Sequence, residues 1–367
     1  MQKVTGIIAE FNPFHNGHKL LLDAAGDDRI KVIVMSGNWM QRGEPAFVDK
    51  WTRTEMALAN GADLVVELPL MSALQGADFF ATGAVNILHQ LGVDEILFGS
   101  ESDGMNYQRI SDIYAKKSSE MQAFMEELPE LMSYPLKAEK AWKHFAGVEF
   151  DGNTPNHILG LAYAKAVSGT EIKLRTVLRQ TGYNETELSG LIASATAIRQ
   201  NFSEASAFVP ADTWNLLKSS PKRSWDDFWE LLRYKVTVSS RLTNVYQVNE
   251  ELSVRIKKYI KTANNLQELI EQVYTKRYTK GHIRRLLTYI LLDIPKSCPL
   301  PESIHVLGFT VRGQKILARA RENEVSLTTK IGQYPWDFLT QRADEVYRLG
   351  NPEIPEQTYS RKPIIWN

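Results

Sequence analysis

Apolar residues in the first half of the chain fall into short runs separated by segments of helical periodicity. Val4 to Glu10, Lys31 to Ser36, Asp63 to Leu68, Glu95 to Phe98 and Ile172 to Leu178 are short, apolar or β-branched and flanked by turn residues, which predicts five buried strands. Between them, Gly17 to Ala25, Lys50 to Asn60 and Ala77 to Leu91 carry helical patterns. The last two are followed by Gly61 and Gly92, which suit the backbone just past a helix end. Strand, helix, strand in repetition requires right-handed crossovers. The expected core is therefore an α/β, Rossmann-like, five-stranded parallel sheet with helices on both faces and its ligand site at the strand carboxyl ends.

Residues 106–147 read as a mostly helical insertion, interrupted at Pro129 and Pro135, with mixed charge and no chemical cluster. Beyond Arg199 the strand pattern fades, and Trp225 to Tyr234, Asn249 to Lys261, Leu266 to Tyr274 and His282 to Leu292 predict helices. The 367 residues exceed the roughly 250–300 at which single cores stop growing, so two domains are expected: 1–200, of α/β type, and 201–367, largely α-helical.

Composition narrows the class further. Hydrophobic residues make up 43% and charged residues 23%, as in folded soluble chains, and 43 basic residues balance 43 acidic ones. With no net attraction to nucleic acid, a partner of that kind requires a local basic patch. Cys298 is the only cysteine, which excludes an intramolecular disulfide and a cysteine-based zinc cluster. No apolar run reaches the roughly 18–20 residues of a membrane span, and the first residues show no secretion signal, so no membrane partner and a cytoplasmic location are expected.

The most informative segment is Gly6-Ile7-Ile8-Ala9-Glu10-Phe11-Asn12-Pro13-Phe14-His15-Asn16-Gly17-His18. A buried strand ends there in a proline turn. Asn16 is suited to cap the following helix, Gly17 permits close backbone approach, and the amides of a helix start favour an anion such as phosphate. His15 and His18, three apart, can aim donors at one phosphate, stabilising charge that builds on its oxygens during displacement. Zinc would need a third or fourth ligand nearby, and none stands at useful spacing. The segment resembles the HxGH signature of the nucleotidylyltransferase superfamily, which class I aminoacyl-tRNA synthetases share in variant form. Ile192-Ala193-Ser194-Ala195-Thr196-Ala197-Ile198-Arg199 resembles the ISSTxxR motif of the same superfamily, in which Ser194 and Thr196 offer hydroxyls and Arg199 a fixed guanidinium fork. The lysine of the synthetase version is absent between Leu188 and Arg199, which argues against a synthetase.

Four further stretches complete a resemblance to the bacterial tRNA(Met) cytidine acetate ligases over most of residues 1–200. These are Ser36 to Ala46 with Arg42, Leu97 to Glu101 with Gly99, Asn153 to Gly160 with Asn156, and Arg179 after the fifth strand. Many members carry Asn where this chain has His157, and no role is assigned to it. The resemblance implies that Ile7, Ile8, Ala9, Glu10, Phe11, Asn12, Pro13, Phe14, His15, Asn16, Gly17 and His18 cradle ATP. It adds Gly99, Asn156, Arg179, Ser194, Thr196 and Arg199 to that site, with His15, His18 and Arg199 catalytic. It also implies the reaction: acetate and ATP give acetyl-adenylate, whose acetyl group passes to the wobble cytidine of elongator tRNA(Met). Mg²⁺ is expected with ATP, and no residues are identified to hold it.

For RNA, Arg255 to Arg285 holds nine lysines and arginines against Glu268 and Glu271, interleaved with Tyr274, Tyr278 and His282. Cations that track phosphate beside aromatics that stack on unpaired bases suit an anticodon loop, and Lys276, Arg277, Arg284 and Arg285 are the candidate contacts. Two other classes remain open on the residues alone. One is a small-molecule adenylyltransferase of coenzyme synthesis; the other is an RNA-binding protein that keeps the fold without catalysis.

Overall fold

The computed structural model describes residues 2–101, 105–130, 132, 134–148, 155–179, 187–188, 190, 192–331 and 336–367. The first half alternates as β1 (Val4–Ala9), α1 (Asn16–Ala24), β2 (Ile30–Ser36), α2 (Lys50–Ala59), β3 (Leu64–Leu68), α3 (Leu70–Ala73), α4 (Ala77–Gln90) and β4 (Glu95–Ser100). Helices α5 (Tyr107–Glu127), α6 (Tyr134–Ala146) and α7 (Pro155–Ala166) follow, then β5 (Lys173–Leu178) and α8 (Ala195–Gln200). The five predicted strands are present in order β5-β4-β1-β2-β3 and pair in parallel, but β5, at the sheet edge, is exposed or half-buried along its length rather than buried as expected. Each lies within two residues of its predicted bounds.

Alternation along β2 explains the layering. Val32 and Val34 join Leu64, Val66 and Ile96 in a core beneath α4 and α7, whereas Ile33 and Met35 join Ile7, Val65 and Leu97 under α1 and α2. A strand buried on both faces has no polar side to show, and so reads as a continuous apolar run. Each fully buried aliphatic side chain contributes about 1.5–3 kcal/mol of transfer energy.

Residues after 200 supply α9 (Ala211–Ser219), α10 (Trp229–Val238), α11 (Glu250–Tyr259), α12 (Leu266–Val273) and α13 (Lys280–Leu291). They go on to β6 (Ile304–Thr310), α14 (Val311–Glu322), β7 (Leu327–Thr328), α15 (Phe338–Arg348) and β8 (Ile364–Trp366). The sheet thus extends beyond five strands: β6 runs antiparallel beside β3, and β7 and β8 pair with β6. The run Ile304 to Thr310 has strand composition, but the basic helix starting one residue later masked it as a separate signal.

A third apolar cluster gathers α10 to α13 and α15 around Trp39, Leu70 and Leu74 from the first half. Beside it lies a buried polar seam. The Lys50 ammonium, fully buried, donates to both Glu67 oxygens at 2.8 and 2.9 Å and to Asp344 Oδ2 at 2.6 Å. His305 Nδ1 lies 2.7 Å from Glu67 Oε2, and Asn38 and Thr358 donate to Asp344 at 2.9 and 3.0 Å. Burial by itself would raise Glu67, yet Lys50 and His305 hold it down to about 2. Burial and the neighbouring Glu67 charge lift Asp344 to about 7 against the pull of Lys50. No helix among the described residues is long and apolar enough to cross a membrane.

Lys50→Met would leave two buried carboxylates without their cation. A loss of about 3–5 kcal/mol is expected, read as a lower urea midpoint at an unchanged slope.

Candidate active site

The carboxyl ends of β1 and β4 open into a cavity of about 210 Å³. Arg53, buried on α2, ties this edge together: its guanidinium donates to the carbonyls of Glu10 at 2.7 Å and Ser36 at 2.9 Å, and also to those of Gly37 and Val48. The chain leaves β1 through Phe11, whose φ of +47° is uncommon for a side chain of that size, and through a cis bond between Asn12 and Pro13. This turn delivers His15 to the start of α1.

His15, not Asn16, is the cap of α1. The amide of Gly17 donates to His15 Nδ1 at 3.1 Å, and the amide of His15 donates to His18 Nδ1 at 3.3 Å, a reciprocal capping box made of two imidazoles. Asn16 turns away and donates to the Ala207 carbonyl at 3.0 Å. The imidazoles stack with centroids 3.7 Å apart, and His18 meets the edge of Phe11 at 4.9 Å. Gly17 makes this possible, because a Cβ there would come within 2.9 Å of the His15 ring.

Both rings are held neutral. Burial, then the charges of Arg179 and Arg199, lower His15 to about 3; burial, then His15 and Arg179, lower His18 well below its usual range. Because each Nδ1 accepts, each neutral ring carries its proton on Nε2 and is a donor there. Arg42, Arg179 and Arg199 all line the cavity. Arg179 follows β5, and its Cγ lies 3.0 Å from where a Cβ on Gly99 would sit. Arg199, on α8, donates to the Asn12 carbonyl at 2.6 Å and lies 3.4 Å from Thr196 Oγ1, while Ser194 caps α8 through the Ala197 amide. Phe80, Phe98, Leu159 and Tyr163 supply an apolar wall. Glu10 accepts from the Gln41 amide at 2.6 Å, and burial raises its carboxyl above the usual range.

Of the residues expected here, Ile8 to Asn12, His15, His18, Gly99, Arg179, Ser194, Thr196 and Arg199 line one cavity. Ile7 and Phe14 point into the core instead, and Pro13, Asn16 and Gly17 lie off the lining. The Asn156 side chain is outside the described residues. His157 is buried, edge-on to Tyr107 at 6.1 Å. Lys276 and Arg277 are exposed, away from the cavity. Arg284 and Arg285 are half-buried where α13 meets the loop after β2, and Arg284 donates to Glu44 at 2.9 Å. Sequence reading missed Phe80 and Tyr163 and gave no role to Leu159 or Glu44 within the stretches it marked, since these residue types are unremarkable until the fold brings them to the rim. Among the described residues no three His, Cys, Asp or Glu side chains converge as metal ligands.

A parallel sheet with a histidine-capped helix and arginines at its carboxyl edge defines a nucleotidyltransferase of the HIGH type, and the sequence pattern of the HIGH Nucleotidyl Transferase family matches residues 1–362. Relatives include tRNA(Met) cytidine acetate ligase of Lactococcus lactis subsp. cremoris (strain MG1363), 52% identical over 100% of this chain and 99% of its own. That of Streptococcus pneumoniae (strain JJA) is 54% identical over 98% of both chains. The chain belongs to the tRNA(Met) cytidine acetate ligase family. Among solved structures, apo TmcAL of Thermotoga maritima superposes with TM-score 0.87 at 29% identity, and the same protein bound with alpha-thio ATP with TM-score 0.84 at 28% identity. Each comparison covers 99% of both chains.

The depressed His15 pKa has a consequence for stability. The unfolded imidazole takes a proton near pH 6.5 while the folded one does so only near 3, so the stabilisation is complete above 6.5 and is lost as pH falls toward 3. Urea unfolding at pH 7 and pH 5 is expected to show a smaller drop for His15→Gln than for the unaltered chain.

Proposed function

We propose that the chain is an ATP-dependent ligase that makes acetyl-adenylate from acetate and ATP and passes the acetyl group to the wobble cytidine of elongator tRNA(Met). The observation that carries the reading is the pair of neutral Nε2–H imidazoles, stacked at the start of α1 and facing the same cavity as Arg179 and Arg199. Triphosphate oxygens would meet two guanidiniums, while the α-phosphate would lie against the imidazoles and the positive end of the helix.

In the first step an acetate oxygen bonds to the α-phosphorus and the bond to the β-phosphate bridging oxygen breaks, releasing pyrophosphate. Charge grows on the non-bridging oxygens as this happens, and donors already fixed in place stabilise it without reorganising. In the second step cytidine N4 attacks the acetyl carbon, the bond to AMP breaks, and N4 loses one proton. The cation that accompanies ATP would be carried by phosphate oxygens and water, since the described residues offer no cage for it. The anticodon arm would approach the basic segment before α13, where Arg277 lies over Tyr278 at 5.4 Å and Tyr278 stacks on His282 at 5.7 Å.

Pyrophosphate release with ATP and acetate, and acetylation of a tRNA(Met) transcript, test the reading directly. Turnover on a coenzyme precursor without acetate would replace it with a small-molecule adenylyltransferase. His15→Ala and His18→Ala are each expected to lower pyrophosphate release by about ten- to a thousandfold with the fold retained by circular dichroism. Lys276→Glu with Arg277→Glu is expected to weaken transcript binding in a filter assay while acetyl-adenylate formation continues, as both side chains are exposed and off the cavity lining.

A further inference from the structure

The cavity rim holds a carboxylate that the two chemical steps do not use. Glu44 stands in the loop after β2, and its oxygens face different parts of the molecule. Oε1 accepts from Arg284 Nη1 at 2.9 Å, and Oε2 lies 3.5 Å from Arg199 Nη2. The loop cannot drift away from α13. Gly43, at φ +80°, sits so close that a Cβ would come within 2.8 Å of the Arg285 backbone nitrogen. Its carbonyl accepts from Trp225 Nε1 at 2.7 Å and Thr288 Oγ1 at 3.0 Å. One carboxylate is therefore held between an arginine of the nucleotide cavity and an arginine of the helix that follows the exposed basic segment.

We infer that Glu44 is a positioning residue that sets the order in which the two substrates are gripped. The inference rests on the reading above, in which Arg199 meets the triphosphate, and extends the RNA-facing surface from Arg277 to Arg284, a half-buried neighbour on α13 that meets an RNA phosphate. While both arginines share Glu44, neither is fully neutralised. When a triphosphate draws Arg199 away, Glu44 is left to Arg284 alone and pairs with it more strongly, so RNA phosphate meets a spent cation. Once pyrophosphate has left, Arg199 returns to Glu44 and Arg284 is shared again. Bound ATP thus weakens the hold on tRNA, and the adenylate restores it. Linkage makes the effect reciprocal, with tRNA weakening ATP binding by the same factor.

The test measures dissociation constants of a tRNA(Met) transcript with α,β-methylene-ATP and with AMP, by filter binding. The unaltered enzyme is expected to bind the transcript about three- to tenfold more weakly with the triphosphate analogue than with AMP. In Glu44→Gln and in Arg284→Gln that ratio is expected to fall below about twofold, and the double variant to fall no further. The ratio is read whatever each substitution does to either affinity alone, and binding of the analogue reports that each variant is folded. Repulsion between two polyanions, acting without Glu44, would leave the ratio in Glu44→Gln as large as in the unaltered enzyme, and that result overturns the inference. An enzyme that acetylates the transcript yet shows a ratio of one refutes the inference and leaves the reaction standing. One that neither binds nor acetylates it refutes both.

Discussion

The architecture turns on a lysine with no access to water. Lys50 begins α2, and its ammonium is closed in by Glu67 of β3 and Asp344 of α15, with His305 of β6 on the far side of Glu67. Removing such ions from water costs several kcal/mol each, and only close, complete pairing offsets it. The partners come from positions 294 residues apart for Lys50 and Asp344, so the pairing is satisfied in one arrangement of the chain and not in a slipped one. An apolar seam would tolerate small shifts; a buried ion cluster does not. The β3 edge is thereby committed to β6, and α15 is held against the loop after β2.

That loop carries the consequence to the active site. Trp39 donates from Nε1 to the Ala343 carbonyl at 3.0 Å, Asn38 bridges Asp344 and Gln357, and Gly43 lies against α13. Gln41, Arg42 and Glu44, which line the cavity, stand on backbone held by residues after 200. The nucleotide cradle is built from the first strand and its turn, but its rim is built by the C-terminal helices. Glu44 is the point at which the two meet.

Much of this was readable beforehand. Strand bounds came within two residues because β1 to β4 are buried on both faces and read as short apolar runs between turn residues, and the edge strand β5 kept β-branched residues and turn flanks although its face is half-exposed. The histidines and Arg199 were visible as signatures, and they do share a cavity with Arg179 and Gly99. The cap of α1 was misread, since both His15 and Asn16 own an acceptor and only the turn geometry decides which one meets the Gly17 amide. Arg284 was named beside Lys276 and Arg277 as an RNA contact, and its pairing with Glu44 was not legible. Strand β6 was missed because its signal runs directly into that of α14.

By itself the sequence determined the strands of the first half and marked His15, His18 and Arg199, which the fold brings to one cavity, because periodicity and turn chemistry act between residues near each other in the chain. Tertiary structure alone decided that β6 joins the sheet, that Lys50 is sealed between two carboxylates, and that Glu44 stands between Arg199 and Arg284. Glu44 and Arg284 lie 240 positions apart. Neither the identity of a charged residue nor its local spacing records which distant partner will neutralise it. The choice is made by the packing that removes water from around both.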